Sequence, residues 1–165
     1  MELVVNVTEN WAIGMENNLL VTISADLRRF RQLTTGRTVI LGRKTLGTFP
    51  GGRPLKNRRN LVLSGNPDYR VEGAEVVHSL DELKAAIGPD EPISVIGGAS
   101  IYELLLPYCR TARITKTLVT VPADRFFPNL DQMENWKITE TSEILEENGI
   151  RFQYVDYENT APLSL

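Results

Sequence analysis

The chain has 165 residues, 42% of them hydrophobic, with a formal net charge of -3, a length that suits one domain burying roughly two-thirds of its unfolded surface. One cysteine, Cys109, cannot form an internal disulfide, and the start Met1-Glu2-Leu3-Val4-Val5 lacks the basic region and long apolar segment of an export signal, so a cytoplasmic setting is expected. No apolar run approaches the ~20 residues that span a bilayer, and mixed charge of low net value disfavours nucleic acid and anionic membrane, leaving a small molecule as the expected partner.

Leu3 to Val7 is a short apolar, β-branched run and reads as the first strand. A helical pattern follows over Ala25 to Thr34, with Ser24 at the N-cap position. The strand Thr38 to Leu41 leads into a second helical pattern, Arg43 to Thr48. Asn60 to Leu63 and Ala74 to Val77 read as strands, and Leu80 to Ala86 as a helix opened by Ser79 and Glu82 in the spacing of a capping box. Ile93 to Ile96 is a strand, Ser100 to Leu106 a helix ended by Pro107, and Ala112 to Thr117 a strand. The last stretch differs. Trp136 to Ile144 and Ile150 to Tyr157 flank Glu146-Glu147-Asn148-Gly149, which predicts two antiparallel strands around an Asn-Gly turn. Strands alternating with helices predict an α/β fold with a largely parallel sheet, and the final hairpin makes it mixed. Without repeats, low-complexity stretches or linkers, a single domain over 1–165 is expected, with Glu158 to Leu165 fraying.

Three strand ends carry small or charged residues. Gly97-Gly98 follows the buried-type strand and precedes a helix start; it is either a tight turn or a place where a ligand touches backbone and meets the free N–H groups of a helix. Gly42-Arg43-Lys44-Thr45 sets two cations at a helix start, where cations are disfavoured unless an anion is to be met. Ser64-Gly65 ends a third strand. Ligands of open α/β sheets bind outside the carboxyl ends of the strands, and a dinucleotide with an extra phosphate would use all three.

Asp26 lies in the first turn of its helix, where an acid complements the macrodipole. Helical spacing also puts it on one face with Phe30 and Leu33, beside Leu27, while Arg28, Arg29 and Gln32 take the wet face. An acid among apolar neighbours is a candidate proton handler. With one histidine, His78, and one cysteine, no His/Cys metal cluster, Cys-His pair or Ser-His-Asp triad can be built. The basic run Arg53 to Arg59 reads as loop, either a solvated surface or a source of one bidentate carboxylate clamp, Arg58.

Several segments in order resemble dihydrofolate reductase of the bacterial, single-domain type, from Leu3 to about Tyr157. They are Trp11-Ala12-Ile13-Gly14-Met15-Glu16-Asn17, Ala25-Asp26-Leu27 with Phe30, Val39-Ile40-Leu41-Gly42-Arg43-Lys44-Thr45, Phe49-Pro50, Gly52-Arg53-Pro54-Leu55, Arg58-Arg59-Asn60, Val95 to Tyr102, Ile114-Thr115, and Asp124 with Phe127-Pro128. The resemblance implies a mixed, mostly parallel eight-stranded sheet with about four flanking helices and an antiparallel C-terminal strand. It implies reduction of dihydrofolate to tetrahydrofolate by hydride transfer from NADPH, in a monomer that needs no metal. Asp26 and Thr115 would bond the pterin's amino-pyrimidine edge, with Asp26 favouring protonation of the neighbouring ring nitrogen through solvent. Val4, Val5 and Ile96 would face the pterin, Leu27, Phe30, Phe49 and Leu55 would wrap the substrate, and Arg58 would hold its glutamate carboxylate. Asn6, Ile13, Gly14, Gly42, Arg43, Lys44, Thr45, Leu63, Ser64, Gly65, Gly97, Gly98, Ala99, Ser100, Ile101 and Tyr102 would contact the cofactor, with Arg43 and Ser64 nearest the 2′-phosphate and a cis peptide at Gly97-Gly98. The adenosine-binding part would span roughly residues 38–90. Glu9 to Ile23, with Trp11, Asn17, Leu19 and Val21, resembles a mobile loop that closes over the nicotinamide.

The chain departs from the family pattern at named positions. Val21 and Ser24 stand where a tryptophan and a nearby proline are usual, Asn6 replaces a usual alanine, and Ser100 stands where a basic residue often aids the pyrophosphate. His78 lies where a lysine can approach the adenosine phosphate, or is an ordinary surface histidine. The rival readings are a same-fold riboflavin-pathway reductase, which reduces a ribosylamino-pyrimidine with NADPH, and a non-catalytic nucleotide-binding module in which Asp26 is dispensable. The Asp26 to Phe30 helix face and Arg58 favour a pterin-glutamate.

Overall fold

A computed structural model describes residues 1–15 and 22–165. The strands are β1 (Glu2–Thr8), β2 (Ala12–Gly14), β3 (Thr38–Gly42), β4 (Arg59–Leu63), β5 (Glu75–Val77), β6 (Ile93–Gly97), β7 (Thr111–Thr117), β8 (Arg125–Phe126), β9 (Trp136–Thr141), β10 (Leu145–Glu147) and β11 (Ile150–Asn159). The helices are α1 (Ser24–Thr34), α2 (Arg43–Gly47), α3 (Leu80–Ala86) and α4 (Ala99–Leu105). The main sheet runs β10-β11-β7-β1-β6-β3-β4-β5, with β9 also on β11. From β7 to β5 every pairing is parallel, and β11 is antiparallel to its neighbours, so the mixed α/β sheet expected from the sequence is present.

The central strands read as unbroken apolar runs because both their faces are covered. Side-chain alternation sends Ile40 and Leu61 into the core cluster that holds Leu3, Val5, Leu105 and Tyr157, and sends Val39, Leu41 and Val62 into a second cluster with Leu46 and Ile96. Phe30, Phe49 and Leu55 pack against that second cluster. Cys109 is fully buried, and burial pushes its thiol up to about 12, so it stays protonated.

The edge strand expected over Trp136 to Ile144 ends at Thr141, and a separate short strand, β10, begins at Leu145. β9 pairs with Val155–Asn159 and β10 with Ile150–Phe152, so the two parts share one side of β11 and the sheet has eight positions. At the break Ser142 N still donates to Tyr154 O at 2.9 Å, while Ser142 Oγ accepts from Tyr154 N at 2.9 Å and Gln153 Nε2 donates to the Ser142 carbonyl at 2.8 Å, so side chains take part in the pairing there. The Asn-Gly turn is as predicted, with Asn148 at φ 52° and Gly149 at φ 80°, the left-handed pair a two-residue hairpin requires. The tail does not fray: Thr160 N donates to Asn135 O at 2.7 Å, Leu163 N donates to Pro107 O at 2.9 Å, and Leu165 packs against the core. A small ribbon of β2 and β8 had no counterpart in the sequence reading, its strands being too short to show a period.

Helix starts split between expectation and correction. Ser79 caps α3, its Oγ accepting from Glu82 N at 3.1 Å, while Glu82 reaches back to His78 N at 2.6 Å. Ser24 is not the cap of α1; Ile23 holds that position and offers no side-chain acceptor. Instead the Glu147 carboxylate, at the end of β10, accepts from Ser24 N at 2.6 Å and Ala25 N at 3.1 Å. An acid here satisfies two orphan N–H groups and complements the dipole. Glu147→Ala is expected to lower folding stability by about 1 kcal/mol, the usual worth of a helix cap, read as a shifted denaturant midpoint. Arg29 is a second correction. It leaves the wet face because its guanidinium lies 4.0 Å over the Tyr154 ring and 3.5 Å from the buried Asp156 carboxylate. Arg28 and Gln32 are exposed as expected.

Candidate active site

A cavity of about 600 Å³ opens at the carboxyl ends of β3, β4 and β6, where Gly42, Leu63 and Gly97 stand on its wall. The parallel topology puts these three ends side by side. Of the residues expected at the cofactor, all line this cavity except Ser64 and Gly65. Ser64 is buried just past β4, where its carbonyl accepts from His78 Nδ1 at 2.8 Å and its Oγ from Asn66 N at 3.3 Å. Thr48, Glu103 and Arg125 also line the wall, and the sequence reading missed them. Arg125 arrives on the β2–β8 ribbon, opposite Gly14.

The backbone is bare where the wall is tightest. Gly97 has φ 130°, a conformation that glycine tolerates and L side chains rarely adopt, and the Gly97–Gly98 peptide is cis, as the resemblance implies. A Cβ at Gly98 would stand 3.0 Å from Thr45 Oγ1. Arg43 and Lys44 are exposed at the other end, and among the described residues neither pairs with a carboxylate. A narrow glycine cradle leading to two unpaired cations and the Thr45 hydroxyl fits an extended ligand carrying phosphates.

Asp26 lies next to this cavity, half-buried on α1. Thr115 Oγ1 on β7 donates to its Oδ1 at 2.5 Å, and Asn6 Nδ2 on β1 donates to its Oδ2 at 3.0 Å. Asn6 and Thr115 are register partners on adjacent parallel strands, which is why both reach one carboxylate. Nearby phenols feel the acid. Burial and then the Asp26 charge push the Tyr102 ionisation far up, and its O–H donates to the Val4 carbonyl at 2.6 Å. Burial and then Asp26 also raise Tyr154.

Val5 and Ile96 line the cavity wall, and Leu27, 46% exposed, stands open on α1 one residue beyond Asp26. Arg58 donates to Lys56 O at 2.8 Å and to Thr34 Oγ1 at 3.0 Å. Burial and then the Arg31 charge draw its pKa below the usual arginine value. Arg31, which the sequence reading passed over, therefore adds a second cation near Arg58, and neither has a carboxylate partner among the described residues. Trp11 is buried, stacked on Phe127 with centroids 6.2 Å apart and with Lys116 Nζ 4.9 Å from its ring. Asn17, Leu19 and Val21 lie outside the described residues. Among the described residues no group of His, Cys, Asp and Glu is placed to hold a metal ion, and no helix is long and apolar enough to cross a membrane.

Fold and site together define an α/β protein with an anion-ready cavity across its parallel strand ends and a carboxylate beside it. A family model described as "Dihydrofolate reductase" matches residues 1–159, and the chain belongs to the dihydrofolate reductase family. Among its relatives, the dihydrofolate reductase of Bacillus subtilis (strain 168) is 38% identical over 152 residues, covering 90% of this chain and 88% of the relative. That of Neisseria meningitidis serogroup B is 37% identical over 150 residues, covering 90% and 91%. A solved dihydrofolate reductase from Enterococcus faecalis, complexed with NADP(H) and RAB-propyl, superposes with a TM-score of 0.86 at 32% identity, covering 96% of this chain and 95% of that one.

Proposed function

We propose that the chain reduces dihydrofolate with NADPH, acting in the cytoplasm as one monomeric domain whose residues 38–90 hold the adenosine side. The observation that carries this reading is the Asp26 carboxylate, held by two donors and set against a dinucleotide-sized cavity. When bound, NADPH supplies the hydride. The residues of this chain orient, desolvate and manage one proton.

Gly42, Gly97 and Gly98 let the cofactor lie against backbone, Thr45 and Ser100 offer hydroxyls toward its phosphates, and Arg43 and Lys44 meet the negative end, with Ser64 flanking the 2′-phosphate. Val5, Asn6, Ile13, Gly14, Ile96 and Tyr102 enclose the nicotinamide end. Each Asp26 oxygen takes one protein donor and keeps a lone pair, so the carboxylate can accept the two parallel N–H groups of an amino-pyrimidine edge. Thr115 supports that pairing, and Asp26 so placed favours proton delivery from solvent to the neighbouring ring nitrogen. Leu27, Phe30, Phe49 and Leu55 cover the substrate's aromatic body, and Arg58, with Arg31 near it, meets the glutamate carboxylates.

Loss of NADPH absorbance on adding dihydrofolate, with no loss on adding a ribosylamino-pyrimidine, is the expected result. Turnover of the ribosylamino-pyrimidine alone would assign the chain to the other reductase, and turnover of neither would leave a nucleotide-binding module.

A further inference from the structure

We propose that Asn6 is a positioning residue for Asp26, a role that rests on the reductase reading above and is specific to this chain's departure from alanine at that position. The Asn6 carboxamide is bonded at both ends. Its Oδ1 accepts from Thr117 Oγ1 at 2.7 Å, and its Nδ2 donates to Asp26 Oδ2 at 3.0 Å. Chemistry fixes this orientation. A flipped amide would aim its oxygen at a carboxylate oxygen, two acceptors facing each other, so only the NH2 can point at Asp26.

Thr117 is fully buried and Thr115 nearly so, which makes β7 a rigid rail for both contacts. Thr115 holds Oδ1 directly, and Thr117 holds Oδ2 through Asn6. The carboxylate is thus clamped at both oxygens, and its rotation about the Cβ–Cγ bond is set before substrate arrives. With alanine at position 6, Thr115 alone would hold it. Asn6 also lines the cofactor cavity, so the clamp stands between the acid and the nicotinamide end. Pre-set geometry of this kind lowers the cost of reaching the reactive arrangement.

A space-filling or sheet-stabilising Asn6 predicts that the isosteric Asn6→Asp is benign and Asn6→Ala the worse change. A donor to Asp26 predicts the reverse, because aspartate offers no N–H and sets a second carboxylate against the first. Single-turnover hydride transfer is measured with saturating NADPH and dihydrofolate, alongside thermal melting. Asn6→Ala is expected to lose about 10-fold in rate, the usual worth of a hydrogen bond to a charged group, and Asn6→Asp to lose more. In an Asp26→Asn background the Asn6→Ala change is expected to cost less than about 2-fold, the non-additivity of coupled neighbours. Thr117→Val, which leaves Asn6 in place but unfixed, gives a loss between wild type and Asn6→Ala and carries the same cycle if Asn6→Asp fails to fold. In the ligand-free protein the side-chain amide protons of Asn6, assigned by their disappearance in Asn6→Ala, shift in Asp26→Asn. Equal losses with and without Asp26, or Asn6→Asp no slower than Asn6→Ala, overturn the role. A wild type that does not reduce dihydrofolate overturns the reductase reading itself, whereas unchanged amide protons in Asp26→Asn overturn the contact alone.

Discussion

Asp26→Asn is expected to slow hydride transfer at neutral pH by about 100-fold to 1,000-fold, within the range general acid–base groups contribute, while leaving the fold and NADPH affinity intact. The fold survives because the new amide has one acceptor and one donor end. Asn6 Nδ2 can only donate, so the amide oxygen turns to it, and the Thr115 hydroxyl can rotate to accept the amide N–H. The cofactor cavity does not include residue 26. In the function proposed above, what is lost is an anion that pairs with the substrate's edge and favours its protonated form. Activity should therefore return in part as the pH falls and solvent protonates the substrate directly. Single-turnover rates across pH, with NADPH binding followed by fluorescence, check this. Equal loss of cofactor binding would make Asp26 structural.

Arg43→Ala is the second large effect. Arg43 is exposed at the start of α2, unpaired with any carboxylate among the described residues, and its guanidinium is 5.9 Å from the Tyr69 ring. A charge-assisted bond to phosphate is worth about 1.5–3 kcal/mol, so NADPH affinity should fall about 10-fold to 100-fold. NADH lacks the 2′-phosphate and should change less than about 2-fold. Added salt should narrow the difference between wild type and variant, because an exposed pair is screened. A parallel fall for both cofactors would place Arg43 elsewhere than the 2′-phosphate.

Where the pattern in the chain is periodic, the structure follows it. The strand runs, the four helices, the Ser79 and Glu82 cap and the Asn-Gly hairpin all depend on neighbours within a few residues, and such signals survive in one dimension. The failures share the opposite property. Glu147 caps a helix more than a hundred positions earlier, and Arg29 turns from the open face toward Tyr154 and Asp156 on the last strand. The edge strand stops at Thr141, where the Ser142 hydroxyl meets Tyr154 on β11. Each is a choice made by a distant partner, which local spacing cannot express.

The site divides in the same way. The Gly97-Gly98 turn and the Arg43-Lys44-Thr45 start are contiguous, and the cavity gathers them as their positions at strand ends suggest. Asp26 is legible as an acid on a partly apolar face. Its partner Thr115 enters through the family resemblance alone, and the Asn6 contact not at all, because both depend on the register of β1 against β7. Arg31 and Arg125 escape for a like reason, being ordinary surface cations until the fold sets them beside Arg58 and Gly14.

The capping of α1 by Glu147 also bears on the order in which a newly made chain becomes competent. Strands β1 to β7 lie within the earlier part of the sequence and pair mainly with one another in parallel, so a growing polypeptide holds most of its sheet before its final hairpin exists. The helix that carries Asp26 is then without its carboxylate cap, and the outer flank of β7, which supplies Thr115 and Thr117, is uncovered. Only when β11 slots between β7 and its own hairpin partner are both made good. The surroundings of the acid are therefore completed by the last hairpin, after the strands that wall the cavity, and the two sides of the site depend on different stretches of the chain.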